Sequence, residues 1–155
     1  MDGYSYCNTL VNTIILEPEQ QLLRKIIKDA ILIELKYTRL LTIDDIDIIL
    51  SPTILNMMLE LYDLYFYENN LRQKFKVNQC RVNVCSDDVC SGRSGICRWN
   101  SDGKCFVIEI AKQTFLKAFE TAKKKINGGL ECNDILDCFL LTFEHELLHA
   151  VLMCF

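Results

Sequence analysis

The 155-residue chain contains two histidines, and both lie in His145-Glu146-Leu147-Leu148-His149. Residues four apart on a helix share one face about a turn from each other, so two such imidazoles can meet a single ion. Neutral imidazole nitrogen is a good zinc ligand at about 2.0–2.1 Å. The glutamate beside the first histidine stands where a general base would take a proton from water activated by that ion. This HExxH pattern implies zinc-assisted hydrolysis, with His145 and His149 as metal ligands and Glu146 as catalytic base. Apolar surroundings would also let Glu146 keep a proton part of the time, as a base that later acts as an acid requires.

A catalytic zinc normally takes three protein ligands plus water. Six residues follow His149, and none is His, Asp or Glu. An extended motif with glycine and histidine three and six places on is excluded, because Leu152 and Phe155 stand there. Cys154 lies five residues past His149, about 140° round an ideal helix, so it reaches the ion only if the helix frays. Upstream, Cys138, Thr142, His145 and His149 form one stripe on an otherwise apolar helix. Such a stripe lines something other than plain core.

The element carrying the motif should start at Asn133-Asp134, with Asp134 as N-cap and Asp137 three residues on in a box-like arrangement. It runs to the chain end and is apolar nearly all round, as a buried helix is. Before it, residues 114–126 read as helix, with Phe115, Leu116 and Phe119 inward and Gly128-Gly129 as breaker. Residues 95–99 and 104–110 flank Asn100-Ser101-Asp102-Gly103 and read as a hairpin. Cys80, Val82 and Val84 alternate with Arg81, Asn83 and Cys85 as in a half-buried strand. Ser51-Pro52 opens a helix with apolar positions Leu55, Met58, Leu59, Tyr62, Tyr65 and Phe66, stopped by Glu68-Asn69-Asn70. Glu17-Pro18-Glu19 opens another, ending before Thr42, and residues 42–47 read as a turn or a further helix start. Residues 10–16 read as a short strand.

The order of elements is α+β: helices flanking a small, mostly antiparallel three-stranded sheet, with the HExxH helix last. We expect one compact domain, in which residues 1–50 are a helical segment and residues 51–155 carry the site. Nine cysteines without a secretory leader point to a reduced, intracellular setting, cytoplasm or nucleus. The apolar run 136–155 has Glu144, His145, Glu146 and His149 near its middle. Each buried carboxylate would cost about 2.5–3.5 kcal/mol in a bilayer, so no transmembrane segment is expected.

Further residues point to a family. Pro52 to Leu71, including Leu61-Tyr62-Asp63-Leu64-Tyr65-Phe66 and Asn70-Leu71, is followed by a strand. Then come Ser94-Gly95-Ile96-Cys97, a strand ending Ile108-Glu109-Ile110, and Thr142-Phe143-Glu144-His145-Glu146-Leu147-Leu148-His149-Ala150. Over residues 52–154 this order resembles the SprT/Spartan (SprT-like) metalloprotease domain. The resemblance implies a zincin-like fold and a zinc-dependent peptidase, with one catalytic Zn2+ held by His145 and His149 and with Glu146 as base. It implies a protein or peptide substrate, and Spartan-type members cleave proteins crosslinked to DNA. Members of the family supply a third histidine after the motif. Here the third ligand would have to come from a cysteine or carboxylate elsewhere, another subunit or a longer chain. Otherwise the domain is an inactive relative that serves as a binding module.

Charge is uneven. Residues 1–71 hold 5 Lys/Arg against 11 Asp/Glu, residues 72–125 hold 12 against 5, and residues 126–155 hold none against 5. A basic island in an acidic chain can mark an anionic partner, or merely a solvated surface. Arg81, Arg93, Arg98, Lys104 and Trp99 are the candidate contacts for single-stranded DNA, where an aromatic ring can stack on a base. Lys123-Lys124-Lys125 reads as a solvated helix end. Cys85, Cys90, Cys97 and Cys105 lack the close pairs of a structural zinc site, and buried free thiols explain them as well.

Overall fold

The structure, a computed structural model, describes residues 17–87, 92–121, 126–127 and 130–154. Helix α1 (Pro18–Leu35) begins with proline in its first turn and ends at Lys36, whose left-handed backbone lets its amide reach the carbonyls of Ile33 and Leu32. A 3-10 turn, Ile43–Asp45, runs into the short helix α2 (Ile46–Ile49). Thr42 and Asp45 form the capping box there, with the Thr42 amide 2.8 Å from Asp45 Oδ2. Helix α3 (Pro52–Tyr67) is capped by the Ser51 hydroxyl and stops at Glu68, again left-handed.

A separate helix, α4 (Leu71–Val77), follows. Its local cap is silent: Asn70 makes no side-chain cap bond. The Leu71 amide is met instead by buried Asp63 of α3, at 2.7 Å. A cap supplied from the preceding helix leaves no mark in the local sequence.

Strands β1 (Arg81–Asp87), β2 (Gly95–Asn100) and β3 (Cys105–Ala111) form one sheet in the order β1-β3-β2. The expected hairpin is present as the antiparallel β2–β3 pair, but β1 runs parallel to β3. The sheet is therefore mixed rather than mostly antiparallel. Turn chemistry specifies a hairpin partner, whereas a parallel partner is chosen by packing alone. In the hairpin turn the left-handed residue is Lys104 (φ 47°), while Gly103 donates its amide to Asn100 Oδ1 at 3.1 Å.

Helix α5 (Lys112–Thr121) starts earlier than its periodicity predicts, and Ile126, expected at its end, belongs instead to the small β4 (Ile126–Asn127)–β5 (Leu130–Glu131) pair. Helix α6 (Ile135–Cys154) closes the fold. Residues 10–16, Cys90, Lys123-Lys124-Lys125 and Gly128-Gly129 lie outside the described residues.

The core sits around α6. Its residues Phe139, Phe143 and Leu147 are buried with Ile27 and Ile31 of α1, Met58 and Tyr62 of α3, and Ile108 and Ile110 of β3. At the start of α6 the Asp137 amide donates to Asp134 Oδ1 at 3.0 Å, the expected N-cap. Lys28 of α1 reaches the same region, 3.0 Å from Asp134 and 2.8 Å from Asp137. The N-terminal helix is thus an integral brace of the motif helix. Among the described residues no helix is long and apolar enough to cross a membrane.

Candidate metal centre

Helix α6 places the three motif side chains as its 3.6-residue period requires. His145 and His149 meet with their Nε2 atoms 3.1 Å apart and their rings tilted by 69°. Two ligands at about 2.05 Å on a tetrahedral ion would stand about 3.3 Å apart. The observed gap suits either such an ion or an N–H···N hydrogen bond between the rings. Burial pushes His145 down to about 4, helped by its neighbour His149, and burial lowers His149 as well. Both imidazoles are therefore neutral at pH 7, the form in which they donate to a metal.

Glu146 is buried, at 9% exposure, and faces the sheet. Burial raises its carboxyl to about 7, against the pull of the Cys97 amide that bonds it and of the positive charge on Arg93. The strand β2 can come this close because residue 95 is glycine. A β-carbon there would lie 3.0 Å from Thr142 Cγ2 and 3.1 Å from Glu146 Cγ. Thr142 turns its hydroxyl back onto its own helix, to the Cys138 carbonyl at 3.0 Å, and presents its methyl to the strand. That accounts for one member of the stripe, Thr142, which packs the helix against the sheet, while the Cys138 thiol bonds that of Cys132.

Among the described residues strand β2 is one of the two edge strands of the sheet, β1 being the other. The Ala111 amide donates to the Ser94 carbonyl at 2.9 Å, so the antiparallel ladder continues through Ile96–Glu109, Arg98–Val107 and Asn100–Cys105. By that alternation the main-chain groups of Gly95, Cys97 and Trp99 point away from β3, along the free edge. The Cys97 amide bonded to Glu146 is one of these edge-facing donors.

On the other side of α6, Glu144 is locked into the core. Arg24 grips it with Nε at 2.6 Å and Nη2 at 2.9 Å, and the Tyr62 hydroxyl donates to it at 3.1 Å. Burial pushes this carboxyl above its ordinary range, while Arg24 and Tyr62 pull it back. The two-pronged geometry to a guanidinium keeps it an ion pair. Nothing in the spacing of the sequence pointed to Arg24 as the partner of the residue before His145.

Among the described residues no third His, Cys, Asp or Glu joins the two histidines to form a metal-holding group. Cys154 turns to β1, with its sulfur 3.3 Å from Cys80 Sγ. Cys85 and Cys105 lie on the face of the sheet opposite Cys97, by the strand register, so those thiols do not converge.

The five candidate nucleic-acid contacts are all exposed, but the fold separates them. Arg93 lies beside Glu146. Arg81, Trp99 and Lys104 sit at the opposite end of the sheet, around the hairpin turn, where the Arg81 amide bonds the Lys104 carbonyl. Arg98 pairs with Glu109 on the outer face, whereas Trp99 turns to the other face and packs 5.0 Å from Phe106 while 47% exposed.

No known family, curated protein or solved structure matches this chain.

Proposed function

We propose that this chain is a SprT-like zinc metallopeptidase of zincin-like fold, hydrolysing peptide bonds with Glu146 as general base. The observation that carries the reading is the disposition of α6 against β2: two neutral imidazoles 3.1 Å apart, with the neighbouring Glu146 bonded to the edge strand at Cys97. His145 and His149 would hold the ion. When bound, zinc lowers the pKa of water towards about 7, making hydroxide available at neutral pH. Glu146 takes the proton of the attacking water and passes it to the leaving amine. An extended peptide adds to the edge of β2, exchanging main-chain hydrogen bonds with Gly95 and Trp99, while the Cys97 amide stays with Glu146. The cations at the hairpin end suit substrates associated with DNA.

The lack of a third ligand among the described residues favours a second reading, a binding module of the same fold without catalysis. Zinc per chain in purified protein, measured for the wild type and for His145→Ala/His149→Ala, separates the two. About one zinc, lost in the double variant, supports the peptidase. No zinc, or zinc indifferent to the substitutions, supports the module.

A further inference from the structure

Each end of the motif helix α6 holds a pair of thiols. At its start the Cys138 thiol bonds that of Cys132, and both residues are buried. At its last turn Cys154 Sγ lies 3.3 Å from Cys80 Sγ, across 74 residues of sequence. This second pair is half-buried. Its two members come from elements fixed by other contacts. The Cys80 amide donates to the Phe75 carbonyl at 2.8 Å, and the next amide, of Arg81, to the Lys104 carbonyl at 3.2 Å. Cys154 ends a helix whose Phe143, Leu147 and Ala150 are buried in the core. The remaining closure, from 3.3 Å to the about 2.05 Å of a disulfide, is of a size that side-chain rotation supplies.

A reagent has room to approach. Cys80 belongs to the lining of a cavity of about 440 Å³ between α3, α4 and the start of β1, with Leu59, Leu71, Phe75 and Val82 among its other walls. A small uncharged molecule enters such a space with no charge to desolvate.

We propose that Cys80 and Cys154 are a reversible dithiol, oxidised by small-molecule disulfides to a crosslink between the end of α6 and the start of β1. One sulfur, as thiolate, attacks the S–S bond of the reagent; a mixed disulfide forms, and one reagent thiol leaves with the proton that sulfur gave up. The second sulfur, deprotonated in turn, attacks the mixed disulfide. The Cys80–Cys154 bond forms and the second reagent thiol leaves, so the two electrons lost by the cysteines are gained by the reagent. Burial and the neighbouring Cys154 push the Cys80 thiol up to about 11, so the pair rests as thiols and the exchange runs over minutes to hours. The crosslink closes one covalent loop around the three-stranded sheet, α5 and α6 and leaves α1 to α4 outside it. It stands independently of the zinc site, because its chemistry uses neither histidine.

The test is incubation of the reduced full chain with hydroxyethyl disulfide, alkylation of the remaining thiols, and non-reducing peptide mapping by mass spectrometry. A linked Cys80–Cys154 peptide within monomeric protein is expected, and dithiothreitol should erase it. Oxidation should raise the melting temperature of the wild type by about 5–15 °C, because the crosslink constrains the unfolded chain. Cys154→Ser, treated in the same way, should show no such gain. Recovery of both cysteines as free thiols, persistence of the reagent on either one, linkage of Cys80 to another cysteine, or a crosslink that lowers the melting temperature would overturn the assignment.

Discussion

Arg24 and Glu144 are 120 residues apart in sequence and meet in the core, Arg24 Nε 2.6 Å from Glu144 Oε2. The contact joins the first described helix to the residue immediately before His145. With Lys28 bound to the N-terminal turn of α6, it gives α1 two grips on the motif helix, one turn apart on α1. The rotation of α6 about its own axis, and hence the direction of both imidazoles, is set from this side.

Removing one partner of that pair leaves a buried charge without its counterpart. Arg24→Ala should lower unfolding free energy by about 3–5 kcal/mol in urea denaturation. Arg24→Met/Glu144→Leu, which removes both charges and keeps the volume, should recover most of the loss. If the double variant were as unstable as the single, the pair would not be the source of the effect.

Glycine at 95 is required by proximity, not by backbone conformation. Gly95→Val should push β2 off Thr142 and Glu146, at a cost of about 1–3 kcal/mol from overpacking. Thermal melting reads the cost. Unchanged stability would mean that β2 does not rest on α6 as described.

Glu146→Gln keeps the shape of the side chain and discards its basicity. Zinc content should stay at the wild-type level, while hydrolysis of an unfolded protein substrate falls by about 10²–10⁴-fold. Equal turnover in the variant would end the proposed role of Glu146.

Asp45 yields a pH dependence that does not involve the candidate metal centre. Arg39 grips its carboxylate and the Thr42 amide donates to it, so that against burial its pKa drops from 3.8 to about 2. A depressed folded-state value means that the stabilisation is complete above 3.8 and disappears as the pH falls through about 2. The difference in stability between wild type and Asp45→Asn should be constant at about neutral pH and shrink only in that acid window. A gap that stayed level down to the bottom of the window would exclude this linkage.

The sequence by itself determined the elements whose signals are local. A helix with an N-cap at Asp134 and imidazoles four apart can present those imidazoles in only one way, because the helical period allows no other. Ser51-Pro52 and the Asn100–Gly103 turn specified a helix start and a hairpin through backbone chemistry that needs no distant partner. Tertiary structure decided everything that depends on what comes to lie alongside. Helix α4 owes its cap to Asp63 of another helix, and β1 joins β3 in parallel with no turn to announce it. Arg24 finds Glu144, Cys154 turns to Cys80 away from the histidines, and Gly95 opens room for Glu146 only once strand and helix are packed. Those relations are absent from local sequence for one physical reason: burial selects partners by shape and charge across the core, and neighbours along the chain carry no record of that choice.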